Sequence, residues 1–295
     1  MSIYNLPQDI FPGKYIKPEG IIIHDYSAAV GSFKGKSILH TNAISLVITG
    51  EKTMHFAEKT IRIKNNEFHF LSAGNCLASM NLSKQNQFRS ILIFFDNKIL
   101  TDFYLKYASL IHKIKAKKKI VHQSYVSFQK DEFIYNFIES LKLLIHSGFP
   151  MSDEMKQLKF EELLLHLLHK YPVSILSFQS EKKDIRDDLQ IKKVIEANIL
   201  NVVTIEELAF LCNMSVSTFK RKFTALYGNS PNKWMLLQRM NIAKDLLIHH
   251  KEKPSAIYHK VGYENHSSFS ESFKQIFGLA PKKFQLQQRT NSHSF

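Results

Sequence analysis

Cysteine is scarce in this chain. There are two, Cys76 and Cys212, among 295 residues, with no zinc-ligand spacing. They could form at most one bridge, so a disulfide framework is excluded and reduced thiols are expected. Long apolar runs are also missing. Segments such as Ser90–Phe95 fall far short of the ~20 residues that a membrane-spanning helix needs. The first twenty residues hold Asp9, Lys14 and several prolines, not the charged-then-apolar layout of a secretory leader. A cytoplasmic protein without membrane contact is therefore expected. No Gly-rich phosphate loop, nucleophile elbow or His-x-His pair occurs, and His24, His40, His55 and His69 stand singly. No catalytic residue, metal or cofactor is expected. Acidic residues are the minority, 26 against 40 Lys and Arg, for a net charge of +14 and a pI of about 9.5. Such a balance favours polyanionic partners but does not locate the contact. Residues 186–289 carry 16 basic and 9 acidic residues, against 24 and 17 elsewhere. Pattern has to do the locating.

What is present is an ordinary globular composition, 44% hydrophobic and 22% charged, over a length that suggests two domains. The first ~125 residues read as mainly strands. Ile21–Ile23, Ile44–Thr49, Thr53–Phe56, Thr60–Ile63, Phe68–Leu71 and Ser90–Phe95 are punctuated by turn residues at Gly50-Glu51, Asn65-Asn66 and Gly74-Asn75. Strands so closely spaced suggest a sandwich or small barrel. From Asp131 the period changes: Phe133, Phe137, Leu141 and Leu144 mark one amphipathic helix, ended by Gly148 and Pro150. Met155, Leu158, Leu163, Leu164, Leu167 and Leu168 mark a second, stopping before Pro172. The pair could pack on the β-rich part or on a second subunit, and the leucine stripe is the ground for expecting a homodimer. Ser177–Asp188 reads as a polar linker, and the five lysines of Lys113–Lys119 as a solvated loop or helix end.

The C-terminal region contains an internal repeat at an offset of 50 residues: Phe219 with Phe269, Phe223 with Phe273, Gly228 with Gly278, Pro231 with Pro281. Upstream, Leu208-Ala209 corresponds to Ile257-Tyr258, so the second copy has one more residue in its turn. Each copy reads as helix, tight turn, helix. In the first, Thr204 and Glu207 form a capping box, Cys212-Asn213-Met214 makes the turn and Ser215 caps the second helix. With Phe219, Phe223 and Leu226 inward, Ser217, Lys220, Arg221 and Thr224 are left on the opposite face. Arg can bond guanine O6 and N7 together, and small hydroxyls allow close approach to base edges. In the second copy Phe269, Phe273 and Ile276 are inward, while His266, Ser267, Ser270, Glu271 and Lys274 are exposed. Between the copies, Lys233–His249 reads as a long helix of roughly 25 Å. That length suits two recognition helices about one DNA turn apart, on the order of 34 Å.

Across Asp188–Leu286 the chain resembles the DNA-binding domain of the AraC/XylS family of transcription regulators. The resemblance is carried by Leu208-Ala209, Ser215-x-x-x-Phe219-x-Arg221-x-Phe223, Gly228-x-Ser230-Pro231, Arg239-x-x-x-Ala243-x-x-Leu246-Leu247, Gly262-Tyr263 and Phe269-x-x-x-Phe273-Lys274-x-x-x-Gly278-x-x-Pro281. It implies a sequence-specific regulator of double-stranded DNA, an activator that engages RNA polymerase. Ser217, Lys220 and Arg221 would be the base-reading set of the first unit, and His266, Ser267, Ser270 and Glu271 that of the second. Tyr258 stands where the family usually has alanine, and Glu271 where a basic or neutral polar residue is common. The resemblance also implies an α+β multidomain fold. A cupin-like sensor β-barrel would occupy residues 1–125, a helical dimerisation segment 126–175 and a linker 176–186. An all-α double helix-turn-helix domain would occupy 187–289, with a disordered tail at 290–295. The barrel would sense a small-molecule effector or a regulatory protein. The competing reading is a cupin-type metal enzyme with a helical binding appendage.

Overall fold

The computed structural model describes residues 3–11, 20–57, 59–115, 120–121, 123–178, 187–250 and 252–291. The chain divides into two compact units, residues 1–55 with 61–184 and residues 56–60 with 185–295. The first unit contains strands β1 (Ile3–Leu6), β2 (Ile21–Ala28), β3 (Ser32–Leu39), β4 (Asn42–Thr49), β5 (Glu51–His55), β6 (Thr60–Ile63), β7 (Glu67–Leu71), β8 (Gly74–Asn81), β9 (Phe88–Phe95) and β10 (Tyr125–Gln129). They form two five-stranded sheets, ordered β1-β3-β8-β5-β6 and β10-β7-β4-β9-β2. β1 joins β3 in parallel; β3–β8, β5–β8, β4–β7, β4–β9, β2–β9 and β7–β10 are antiparallel. Helices α1 (Asn97–Lys106), α2 (Ala108–Lys115), α3 (Glu132–Ile145), α4 (Asp153–Lys170) and α5 (Pro172–Ser177) complete the unit.

The second sheet is a middle layer. Ala43 and Ser45 of β4 turn towards Leu39, Met54 and Cys76 of the first sheet, whereas Ile44 and Leu46 join the core built with the helices. Every residue from Asn42 to Val47 is consequently buried. A sheet with one wet face would alternate instead. The helices cover that outer face through aromatic contacts: Phe95 lies 4.8 Å from Phe160, and Phe70 5.4 Å from Phe178, between ring centroids.

Several expectations change here. Residues 97–115, read as part of a strand-rich stretch, form α1 and α2, started by Asp96 accepting from the Ile99 amide. Pro172, read as a stop, occupies the first turn of α5, where its missing N–H is not needed. The largest correction concerns Leu163, Leu164, Leu167 and Leu168. Their side chains are 0–1% exposed inside their own unit, so the stripe is used up by packing α4 onto the sheet and is not available to a second subunit. Each such leucine stabilises the unit by roughly 1.5–3 kcal/mol. The outward sides of α3 and α4 carry Tyr135, Leu143 and Leu158 instead. Residues 116–119, most of the expected linker and residues 292–295 lie outside the described residues.

The second unit is helical: α6 (Asp187–Asn198), α7 (Ile205–Leu211), α8 (Val216–Tyr227), α9 (Pro231–Ile248), α10 (Pro254–Ile257), α11 (His266–Phe277) and α12 (Pro281–Asn291). α6 begins inside the stretch read as linker and packs on α7 and α8 through the buried Ile191, Val194 and Ile195. Among the described residues no helix is long and apolar enough to cross a membrane.

Asp131 ties α3 to α4. Its carboxylate accepts from the Ile134 amide at 2.9 Å, from Lys170 Nζ at 2.6 Å and from His166 Nε2 at 3.0 Å. Burial pushes its pKa up, but these hydrogen bonds outweigh burial and hold it at about 2. A carboxylate depressed on folding adds stability that is present above the unfolded-state pKa and is lost as pH falls through the folded one. Asp131→Asn keeps a capping oxygen without the charge. It is expected to be less stable than wild type by about 1–2 kcal/mol at pH 7, with the gap closing towards pH 2. Urea denaturation at both pH values checks this, and a gap indifferent to pH would contradict it.

Candidate nucleic-acid interface

The first helix-turn-helix is assembled from local signals. Thr204 Oγ1 accepts from the Glu207 amide at 3.2 Å while the Glu207 carboxylate accepts from the Thr204 amide at 2.8 Å, the reciprocal cap that starts α7. α7 ends as Met214 N–H donates to the Ala209 carbonyl and Asn213 N–H to that of Phe210, with Asn213 at φ 56°. This is the paired closure of a left-handed helix stop. Ser215 then caps α8 by accepting from the Thr218 amide.

The second unit lacks the reciprocal cap, since Lys253 makes no side-chain cap before Pro254, but it repeats the left-handed stop and the cap of the second helix. Tyr263 N–H donates to the Tyr258 carbonyl and Gly262 N–H to that of His259, with Gly262 at φ 79°. Asn265 caps α11 by accepting from the Ser268 amide at 2.9 Å. From left-handed residue to cap, the first turn holds Met214 alone and the second holds Tyr263 and Glu264. Glu264 is therefore the extra residue. Beyond the caps the offset of 50 residues holds throughout. Both recognition helices have twelve residues and end on a left-handed glycine, Gly228 or Gly278. The ring pairs Phe219–Phe223 and Phe269–Phe273 are 5.6 and 5.8 Å apart. Phe223–Trp234 and Phe273–Phe284 are 5.8 and 5.4 Å apart, each edge to face. Tyr227 and Phe277 close each cluster against the same partners. The sequence pattern showed two of these four rings as core; the tertiary partners of the other two were not visible in it.

With those rings inward, Ser217, Lys220, Arg221 and Thr224 form one exposed stripe at helical spacing on α8. On α11, Ser267, Glu271 and Lys274 are exposed at the equivalent places, with Ser270 half-buried and His266 exposed at the helix start. Ser270 Oγ lies 3.5 Å from His266 Nδ1. Tyr258 stands beside the start of α11. Helix α10 has only four residues before a 3-10 turn, and the Tyr258 ring stands edge-on to His266 at 6.1 Å.

Two residues known only as motif positions acquire roles. Arg239 of α9 donates from Nε to the Ile199 carbonyl at 2.7 Å and from Nη2 to the Asn201 carbonyl at 2.6 Å. Gly262 packs against the same stretch: a Cβ there would lie 2.8 Å from the Leu200 carbonyl oxygen.

His24 sits beside Phe11 and Tyr26, His40 lies 3.1 Å from Asn5, and His69 hydrogen-bonds Tyr125. No three metal-ligating side chains gather among the described residues. A cavity between the sheets, lined by Ser45, Lys52, Met54 and Cys76, has room for roughly one or two waters. Burial lowers the pKa of Lys52 and raises that of Cys76 to about 11.

Comparison with known proteins follows the same division. Residues 42–178 match the ExsA N-terminal regulatory domain, and residues 208–287 a helix-turn-helix domain. The HTH-type transcriptional regulator ExsA of Pseudomonas aeruginosa is 23% identical over 229 residues, 77% of this chain and 80% of the relative. The virulence regulon transcriptional activator VirF of Yersinia enterocolitica is 23% identical over 231 residues, 78% and 83%. Among solved structures, ToxT from Vibrio cholerae aligns at 12% identity with a TM-score of 0.38, covering 91% of this chain and 98% of that one.

The close approach at Gly262 separates two kinds of glycine. Gly278 has φ 77°, but a Cβ added there would meet nothing within 4 Å. Gly278→Ala is thus expected to lose about 1–2 kcal/mol through backbone strain alone, and Gly262→Ala clearly more, since the Leu200 backbone must also move. Thermal denaturation of both variants measures the difference; equal losses would refute the contact.

Proposed function

Because the chain belongs to the AraC/XylS family of transcription regulators, we propose that it activates transcription by setting α8 and α11 into successive major grooves of double-stranded DNA. The observation that carries this reading is the α8 stripe of Ser217, Lys220, Arg221 and Thr224. It is exposed, has helical spacing and contains no acidic side chain. Arg221 is the guanine reader, Lys220 a phosphate or base contact, and Ser217 and Thr224 the small groups that let the backbone approach. On α11, His266, Ser267, Ser270, Glu271 and Lys274 form the second reading face.

The N-terminal unit is the regulatory part, and activation passes through RNA polymerase. Its signal is a small effector or a regulatory protein. We propose that the regulator works as a homodimer through the outward sides of α3 and α4, where Leu143 and Leu158 are 75% and 64% exposed.

Arg221→Ala is expected to weaken binding to a specific duplex by roughly 1–3 kcal/mol, or about 5- to 150-fold, with non-specific affinity falling far less. A gel-shift titration at fixed salt on specific and random duplexes tests this. A loss of equal size on both duplexes would reduce Arg221 to a phosphate contact. Light scattering at micromolar concentrations should give a dimer mass; a monomer mass would remove the homodimer.

A further inference from the structure

We propose that Glu271 makes the second unit a cytosine reader, so that the two halves of the operator demand different bases: guanine under Arg221 and cytosine under Glu271. This rests on the DNA-reading assignment above and adds the base chemistry of its weaker half.

The argument starts from the equivalence of the two units. Arg221 and Glu271 are each the sixth residue of a twelve-residue helix. Both helices are held by a side-chain cap at the equivalent position, by matching ring contacts and by a left-handed glycine stop. Whatever α8 presents at Arg221, α11 presents at Glu271. The side chain there is exposed. Among the described residues no ion pair joins it to Lys274, one turn on. A second acid, Glu264, is added in the turn leading to α11. An unneutralised carboxylate facing a duplex is repelled by phosphate, so phosphate binding gives no reason for its presence there.

A carboxylate can only accept hydrogen bonds. In the major groove guanine shows two acceptors, and thymine an acceptor and a methyl. Adenine shows a donor beside an acceptor, and cytosine its N4 donor without one. Cytosine is the base that rewards a carboxylate without opposing it. Ser267, one turn before Glu271, is small and exposed, which leaves room for the close approach that this short side chain requires. The first unit reads the opposite chemistry from the same place, since a guanidinium only donates and guanine offers two acceptors.

The test is selection of bound duplexes from a randomised pool by the full-length protein, followed by affinities for single-base variants of the winning site. Wild type should select a guanine and, about one helical turn away, a cytosine. Glu271→Gln should move the second preference to adenine and Glu271→Arg to guanine, each changing the ratio of affinities for new over old base by about tenfold or more, with the first guanine unaltered. If the guanine is selected but the distal base is the same in all three proteins, or is not selected at all, Glu271 does not read cytosine. If no sequence is selected, the DNA-reading assignment itself falls.

Discussion

Arg239 leaves the middle of α9 and spans two backbone carbonyls, those of Ile199 and Asn201, just past the end of α6. Carbonyls at a helix C-terminus have no partner within the helix, and burying them bare would cost on the order of 1–3 kcal/mol each. A guanidinium serves both with one rigid fork, which an ammonium does not reproduce. Between them, Leu200 lies against Gly262, the left-handed stop of the second unit. The end of α6, the centre of α9 and the turn of the second helix-turn-helix therefore meet at one place. The relative placement of α8 and α11 is held by that junction as well as by the eighteen residues of α9. On the proposed reading, in which two grooves are addressed at once, rigidity here determines whether both faces can be used together.

Upon that frame the two reading faces are built alike and charged differently. The caps, turns and ring clusters repeat, so the geometry is common to both. The face of α8 carries Lys220 and Arg221, while that of α11 balances Lys274 against Glu271. Non-specific attraction to phosphate scales with the cations presented, so on the proposed reading the first unit supplies more of it, and the second contributes mainly where its local chemistry matches the base beneath it. In the N-terminal unit the second sheet is buried on both faces at β4, which binds helices and sheets into one body.

The duplicated unit was readable from sequence because it is written in residues with few alternatives. Phenylalanines at a spacing of four, glycines at positive φ and prolines at the first helical turn each tolerate little substitution in role. The exposed set Ser217, Lys220, Arg221 and Thr224 follows from them by subtraction. Less was readable where a residue's role depends on a distant partner. The leucines of α4 announced a buried face, but periodicity cannot say that the face meets Phe95 and its neighbours rather than another chain. Arg239 stood in a family motif, yet its carbonyl partners lie about forty residues upstream. α1 and α2 escaped because Ile99, Phe103 and Tyr104 suit a strand as well as a helix. β1, β3 and β8 are short of continuous apolar residues, so their pattern is faint.

Hydroxyl-radical footprinting of the full-length protein on a selected duplex addresses the central claim most directly, because it maps where the two units sit without reference to any one side chain. Two protected patches on one face of the DNA, centred about one helical turn apart, are the predicted result. A single patch the width of one groove, or protection spread evenly along the duplex, would contradict paired reading by α8 and α11.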